Sequence, residues 1–436
     1  MAAKAQSAES HTEGTNDRSA IRTIFRALRS RNYRLFFGGQ GISLVGTWMQ
    51  ATAMSWLVYR LTGSAFLLGA VAFISQIPAA ILGPPAGVLA DRWDRRRILV
   101  MTQTLSMLQA FALAALILTG AIAVWQIVAL SLMLGLVNAV DVPARQAFVV
   151  DMVESKSDLG NAIALNSFLF NGARIVGPSI AGIVIAKWHE GVCFTLNGVS
   201  YLAVIAALLM MTVPPKSAKR GNGRIFREMK EGMAYAFAFK PIRYLLLLIA
   251  LVSTLVMPYA VLMPVFAKSI LHGGASAQGF LMASAGVGAL TGAMFLASRH
   301  SVLGLGRVVA ASSSILGAGL ILFSQSRVFA LSSLFLVLIG FGMMVTMASC
   351  NTLLQTIVED DKRGRVMSLY TTAFFGAAPV GSLLAGILAS RIGAPYAVMI
   401  CGACCLLGSL VILKKLPEMR KMVRPLYQTM HIIREQ

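Results

Sequence analysis

Three charged side chains could do chemistry because they fall inside long apolar stretches of the chain: Asp141, Arg145 and Arg174. A charged group at membrane depth is costly and is by default a functional candidate. Asp141 and Arg145 are four residues apart and share one face of a helix, which Pro143 bends between them. A carboxylate paired with arginine stays ionised, whereas an unpaired one in a low dielectric takes up a proton. The three residues therefore predict a proton-coupling site.

The rise of a helix indicates how deep these charges lie. Asp141 is about 18 Å from the cytoplasmic end of its predicted span, and Arg174 is about 20 Å along the next span, which runs the opposite way. We expect Asp141 to pair with Arg174, or to exchange between Arg145 and Arg174. The alternative is a fixed ion pair that ties the two helices together. No histidine replaces them, because all five fall in tails, loops or span ends.

Substrate contacts are predicted among the polar and aromatic residues of the spans. The amides offer hydrogen bonds and the aromatic rings offer apolar contact, which suits a mostly apolar or amphipathic molecule. Each of them could instead make a hydrogen bond between packed helices. The candidates are Gln40, Gln50, Asn166, Asn171, Asn351 and Tyr370.

The composition shows which elements must position these residues. Of the 436 residues, 57% are hydrophobic and 13% are charged, and the mean hydropathy is +0.74. A soluble chain has roughly a quarter of its residues charged, so the apolar excess must face lipid. A span needs roughly 20 apolar residues. That measure predicts an all-α membrane protein with twelve transmembrane helices, near 34–60, 66–90, 98–119, 123–153, 160–187, 191–213, 243–268, 276–298, 302–325, 328–357, 365–390 and 394–413.

The basic residues predict the topology. With both termini in the cytoplasm, 31 of the 38 Lys and Arg residues fall on the cytoplasmic side and five on the other side. This bias is typical of the positive-inside rule. The net charge of +21 is therefore assigned to topology, and its partner is expected to be anionic lipid headgroups rather than nucleic acid.

An internal repeat predicts two halves. When the chain is shifted by 204 residues, Gly160–Ile183 lies over Gly364–Ile387 and ten of the 24 positions match. Parallel repeats of this kind build transporters with a substrate site between the halves. The predicted parts are an N-terminal cytoplasmic tail, a first six-helix half, a cytoplasmic linker with an amphipathic helix, a second six-helix half and a C-terminal cytoplasmic tail, at 1–32, 33–213, 214–241, 242–414 and 415–436.

The clearest local motif is GVLADRWDRRR, between the second and third spans. Its small residues allow close approach to a neighbouring helix, and its acid can meet a helix N-terminus or an arginine. Such contacts would hold one conformation as a cytoplasmic latch and release it in another. The predicted latch residues are Gly87, Asp91, Arg92, Arg95 and Arg96.

This motif resembles the loop 2–3 signature of the major facilitator superfamily, G-x-L-a-D-r-x-G-r-r, with Asp94 where glycine is usual. Together with DVPARQAF and GARIVGPSIAG, it is similar to the bacterial secretion-effector and enterobactin-exporter-like branch, which is related to drug:proton antiporters. Gly172, Gly177, Pro178 and Gly182 resemble the helix 5 antiporter motif. The resemblance implies two pseudo-symmetric six-helix halves and export.

The sequence thus predicts a secondary transporter of the bacterial inner membrane that exports a siderophore, drug or amphipathic metabolite in exchange for protons. The chain has no phosphate-binding loop for ATP, and we expect no cofactor and no metal. An enzyme is disfavoured because one aspartate and two arginines supply neither a nucleophile–base set nor a metal site. An uncoupled facilitator or importer of the same fold remains an alternative. A membrane scaffold is disfavoured by the short tails.

Overall fold

The computed structural model describes residues 26–153, 155–212, 233–256, 258–299 and 301–429. Within that part, the side chains of 84, 87–92, 156, 258, 360 and 429 are not described. Most of the predicted N-terminal tail, most of the predicted linker and the last seven residues therefore lie outside the described residues. Of the predicted amphipathic helix, only the end is described, where residues 233–238 are helical.

Twelve long helices make up the described part of the chain, in the order that the apolar stretches predict. They are α1 (Arg31–Thr62), α2 (Ala65–Arg92), α3 (Arg95–Leu118), α4 (Val124–Met152), α5 (Leu159–Lys187), α6 (Glu190–Met210), α7 (Lys240–Leu255), α8 (Ala275–Ala297), α9 (Leu305–Gln325), α10 (Phe329–Ile357), α11 (Asp360–Ile392) and α12 (Ala394–Thr429). Eleven spans are long and apolar enough to cross a membrane, and α1, with 32 residues, is long enough but more polar.

Two helices differ from their predicted extents. The span predicted at 243–268 is broken: α7 ends at Leu255, and the chain continues through the short helices Pro258–Val261 and Met263–Val265 into a π-helical turn at Phe266–Ile270. Proline lacks the backbone donor of a regular helix, which explains breaks at Pro258 and Pro264. The last helix runs to Thr429, beyond the predicted end at 413, because Leu416, Met419 and Val423 are buried and hold it in place.

The helices pack as two six-helix halves, α1–α6 and α7–α12. In the first half α1 packs against α5 and α6, while α4 packs against α2 and α3. The halves meet where α5 packs on α8 and where α2 packs on α11. We call the surface that carries the start of α1 and the α2–α3 loop the basic side, and the opposite surface the far side.

Glycine makes both contacts between the halves close. A Cβ added at Gly182 of α5 would lie 2.9 Å from the Ala275 carbonyl oxygen and 3.1 Å from the Gly279 Cα of α8. One added at Gly386 of α11 would lie 2.9 Å from the Gly69 Cα of α2. Gly182 and Gly386 are equivalent under the shift of 204 residues, so the two contacts reproduce the internal repeat.

These contacts lie toward the far side, and hydrogen bonds reinforce them there. The Tyr59 hydroxyl is 2.8 Å from the Ser269 hydroxyl, and Gln278 Nε2 donates to Ser55 Oγ at 2.8 Å and to the Thr52 carbonyl oxygen at 3.2 Å. Each of these hydrogen bonds joins a residue of the first half to a residue of the second half. The far side is therefore closed by packing and hydrogen bonding.

Along the face of α5 that carries Pro178 and Gly182, exposure rises toward the basic side. Pro178 and Gly182 are buried against the other half, whereas Ile163 and Ser167, nearer the basic side, are exposed. Helix α11 repeats the gradient, from buried Ser382 to exposed residues 371 and 372. The halves therefore separate toward the basic side, and this conformation is open there.

Candidate functional site

Asp141 lies in the middle of α4, buried inside the first half with an exposure of 2%. Its Oδ2 is 3.1 Å from Nη2 of Arg145, one turn along the same helix. Its Oδ1 accepts hydrogen bonds from Thr102 Oγ1 and Gln103 Nε2 of α3, each at 2.7 Å. Three donors converge on one buried carboxylate, so both of its oxygens have partners.

The pair is asymmetric in its exposure. The Arg145 side chain is 27% exposed, whereas the Asp141 side chain is 3% exposed. The arginine is therefore partly accessible, whereas the carboxylate that it pairs with is enclosed. Gln103 Oε1 is buried without a hydrogen-bond partner among the described residues, so this amide oxygen can still accept a hydrogen bond.

Arg174 does not pair with Asp141 in this conformation, although the two were expected to meet. Its guanidinium lies over the Trp48 ring of α1, 5.9 Å from the ring centroid, and Trp48 contacts Phe170 edge-on at 5.6 Å. The reason is packing: α5 packs against α1 and α8, while α4 packs against α2 and α3. Similar depth alone did not bring the two side chains together.

A second buried polar network lies beside Asp141. Asn197 Nδ2 donates to Gln50 Oε1 at 2.7 Å, and Gln50 Nε2 donates to Gln109 Oε1 at 3.0 Å. Gln109 in turn donates to the Leu130 carbonyl oxygen at 3.3 Å. Buried polar groups need such partners, so Gln50, predicted to line the substrate site, lies in a link between α1, α3 and α6.

Tyr201 lies between the two networks. Its side chain is buried, and it lies near Thr47, Ser106 and Asn197 as well as Asp141. The polar interior of the first half is therefore continuous from the carboxylate to the amide network.

Sequence reasoning missed the partners on α3, although a signal was present. Four polar residues recur on one face of an otherwise apolar helix, and all are buried: Thr102, Gln103, Ser106 and Gln109. Their spacing of three to four residues indicates a polar stripe facing a neighbouring helix.

The other predicted substrate contacts divide between the halves. Gln40 is buried inside the first half. Asn166 and Asn171 are half-buried on α5, and Asn171 Nδ2 donates to the Ser167 carbonyl oxygen of its own helix at 2.8 Å. In the second half, Asn351 accepts from Gln355, and the Tyr370 hydroxyl donates to the Met347 carbonyl oxygen at 3.4 Å.

The predicted latch is described in part. Gly87, Asp91 and Arg92 belong to the last turns of α2, but their side chains lie outside those described. Arg95 Nη1 is 2.9 Å from Asp151 Oδ2 at the end of α4. Arg96 donates to the carbonyl oxygens of Leu208 and Leu209 at the end of α6, at 2.7 Å and 2.6 Å.

The contacts of Asp94 explain why this chain has aspartate where the loop signature usually has glycine. Its side chain accepts hydrogen bonds from the backbone N–H groups of Arg96 at 2.9 Å and Arg97 at 3.3 Å. It is therefore the N-cap of α3, a position that aspartate favours. The described part of the motif ties together the ends of three helices on the basic side.

The helix 5 motif lies at two contacts. A Cβ on Gly177 would be 2.5 Å from the Trp48 Cβ and 2.9 Å from the Val45 carbonyl oxygen, so this glycine lets α1 approach. Pro178 and Gly182 face α8, as described above. Gly172 has nothing within 4 Å of an added Cβ, so packing does not require glycine there.

A separate cavity of about 270 Å³ lies at the basic side of the second half, between α7, α9, α10 and α12. Its lining is mostly apolar, with Arg420 and Arg424 among the lining residues. None of the predicted site residues lines it. The buried charges and amides, rather than this cavity, therefore mark the candidate site.

Comparison with known proteins gives concordant matches. A family model described as transmembrane secretion effector matches residues 22–431. The staphyloferrin A transporter of Staphylococcus aureus is 26% identical over 365 residues, which are 83% of this chain and 90% of that protein. Macrolide efflux protein A of Streptococcus pyogenes is 25% identical over 385 residues, covering 85% of this chain and 93% of that protein.

The fold is also found among solved structures. A bacterial homologue of the human lysosomal transporter Spinster, in an inward-facing and unoccupied conformation, superposes with a TM-score of 0.67 at 15% identity. The match covers 88% of this chain and 98% of that one. At this identity the likeness concerns the fold alone, and it confirms the twelve-helix arrangement predicted from the sequence.

Proposed function

Because this chain belongs to the transmembrane secretion effector family of the major facilitator superfamily, we propose that it exports a small molecule by alternating access, in exchange for protons. The basic side is the cytoplasmic side of a bacterial inner membrane, and both termini lie there. The named functions of the relatives, siderophore transport and macrolide efflux, support export of a siderophore, drug or amphipathic metabolite.

The observation that carries proton coupling is the buried carboxylate of Asp141. With the basic side open, Arg145, Thr102 and Gln103 all donate to it. A change in the α3–α4 packing that withdraws these donors leaves a buried carboxylate that takes up a proton. Proton binding and the conformational change are thereby linked.

The other predicted residues receive supporting roles in the same cycle. Substrate enters from the basic side, between Asn166 and Asn171 of one half and Asn351 and Tyr370 of the other. The latch residues Gly87, Asp91, Arg92, Arg95 and Arg96 act when the basic side closes. Gly177 lets α1 pack closely on α5 within the first half, and Pro178 and Gly182 provide the close contact with α8 across which the halves move.

The experiment is transport in proteoliposomes with the basic side outward, using a panel of siderophores and hydrophobic drugs. Uptake is measured with an acidic lumen and, separately, as downhill exchange without a pH gradient. The variants are Asp141→Asn and the matched Asp158→Asn, whose carboxylate lies in an ion pair with Arg26 near the surface. A surface ion pair of this kind contributes little to the stability of the protein.

Proton antiport predicts that Asp141→Asn abolishes gradient-driven uptake and retains downhill exchange, while Asp158→Asn behaves as wild type. Unchanged gradient-driven uptake in Asp141→Asn would reduce the Asp141–Arg145 pair to a structural tie. Wild-type flux that ignores the pH gradient would favour the uncoupled facilitator.

A further inference from the structure

Arg174 is a cation that lies well inside its helix, α5. In the described part of the chain, no carboxylate lies within ion-pair distance of it, and its recorded contact is the face of Trp48 at 5.9 Å. A cation–aromatic contact of this kind orients the guanidinium without neutralising it. The five N–H donors of Arg174 are therefore available to an external acceptor.

The charge balance around Arg174 is positive. Asp141 and Arg145 neutralise each other at 3.1 Å, and the other described carboxylates lie toward the two surfaces of the bundle. The second half adds nothing, because the positions equivalent to Asp141 and Arg174 under the repeat are Val345 and Ala378. Among the described residues, Arg174 therefore gives the space between the halves a positive charge without a compensating carboxylate.

Arg174 lies on the part of α5 that faces this space. It is half-buried, and it lies one and two turns from Phe170 and Ser167, which are exposed toward the open basic side. Phe170 contacts Trp48 edge-on at 5.6 Å. A guanidinium and two aromatic rings thus form one surface that can be reached from the basic side.

We propose that Arg174, Trp48 and Phe170 form the docking site for an anionic substrate, in which a carboxylate or similar group is attached to an aromatic or apolar body. The guanidinium forms charge-assisted hydrogen bonds with the anion, and the rings pack against the apolar part. A cationic substrate meets an unneutralised positive charge there. This inference rests on the proposed export function and narrows its substrate class.

The test is equilibrium binding, which needs neither a gradient nor turnover. Wild-type protein in nanodiscs is dialysed against three probes that share a biphenyl body and carry an anionic, a neutral or a cationic polar group: 4-biphenylcarboxylate, its neutral amide and 4-biphenylmethylammonium. Empty nanodiscs of the same lipid give the blank. We expect the carboxylate to bind at least about 10-fold more tightly than the amide, as charge-assisted hydrogen bonds predict, and the ammonium to bind most weakly.

Three variants separate the charge from the rings. Arg174→Gln should abolish the preference for the carboxylate, and Arg174→Lys should retain part of it. Trp48→Leu should weaken all three probes while keeping their order. The control Arg391→Gln removes an exposed arginine at the far-side end of α11 and should change nothing. Equal binding of carboxylate and amide, or a preference that survives Arg174→Gln, would overturn the proposal.

The outcome is independent of the transport assay. Gradient-driven export without a charge preference in binding would refute this site and leave the proposed function intact. A charge preference that depends on Arg174, in a protein without gradient-driven flux, would support the site and refute proton-coupled export.

Discussion

The far-side contact between α2 and α11 offers a direct test of alternating access, through Gly69→Ala. The added methyl group would lie 2.5 Å from the Ser382 carbonyl oxygen and 2.8 Å from the Gly386 Cα. Ordinary contact needs about 3.5 Å, so α2 and α11 must part by roughly 1 Å. Overpacking of this size costs about 1–3 kcal/mol, and the cost falls on the conformation that is closed on the far side.

That cost shifts the conformational equilibrium. At about 1.4 kcal/mol for each factor of ten, the ratio of basic-side-open to far-side-open protein falls by about 5-fold to 150-fold. Gly83→Ala is the matched control, because it lies on the same helix and its added Cβ has nothing within 4 Å. Both substitutions gain the same helix propensity, so their difference isolates the contact.

The assay is the labelling rate of a cysteine at Ser167, which is exposed on the basic side. The background carries Cys404→Ala, because Cys404 is the partly exposed cysteine and Cys193, Cys350, Cys401 and Cys405 are buried. A membrane-impermeant maleimide should label Ser167→Cys more slowly with Gly69→Ala than with Gly83→Ala. Equal rates in two variants that remain folded, judged by thermal unfolding, would refute the assignment of this contact as the far-side closure.

Three further substitutions test the polar interior and the loop. Arg145→Gln should lead Asp141 to take up a proton, because the carboxylate loses its cation. Infrared difference spectra of this variant should show the carbonyl band of a protonated carboxyl. If the band disappears when Asp141→Asn is added, it belongs to Asp141. Asp94→Ala should lower the free energy of unfolding by about 1 kcal/mol through loss of the α3 N-cap, while Asp94→Asn should not. Asn197→Ala should cost roughly 1–3 kcal/mol, because it leaves Gln50 Oε1 buried without a donor, in contrast to Leu196→Ala on the exposed face of α6.

The helices were predictable because bilayer thickness acts on local composition. Apolar stretches of span length stand out without knowledge of packing, and most predicted boundaries fall within a few residues of the observed ones. The exceptions depend on tertiary contacts. In the sequence, Pro417 and Pro425 argue against a helix that extends to Thr429. The extension of α12 depends on the burial of Leu416 and Met419 against other helices.

The site was predictable only where it is local. Asp141 and Arg145 meet because four residues along a helix bring side chains together. The bonds from Thr102 and Gln103 depend on which face of α3 meets α4, and hydropathy does not fix that. Arg174 could reach the depth of Asp141, but the packing of α5 on α1 placed it over Trp48 instead.

The two halves share their contacts but not their chemistry, and this difference bears on how coupling works. Gly182 of α5 and Gly386 of α11 make equivalent close contacts with the other half, and both contacts lie in the far-side closure. An opening of the far side must therefore separate both contacts. The charged residues within the spans, Asp141, Arg145 and Arg174, have no charged counterparts at the equivalent positions of the second half. In the proposed mechanism, protonation of Asp141 acts on the helix packing of one half, and the symmetric contacts transmit that local change to the other half. A coupling defect should consequently arise from either place, but only the changes near Asp141 should alter the dependence of transport on pH.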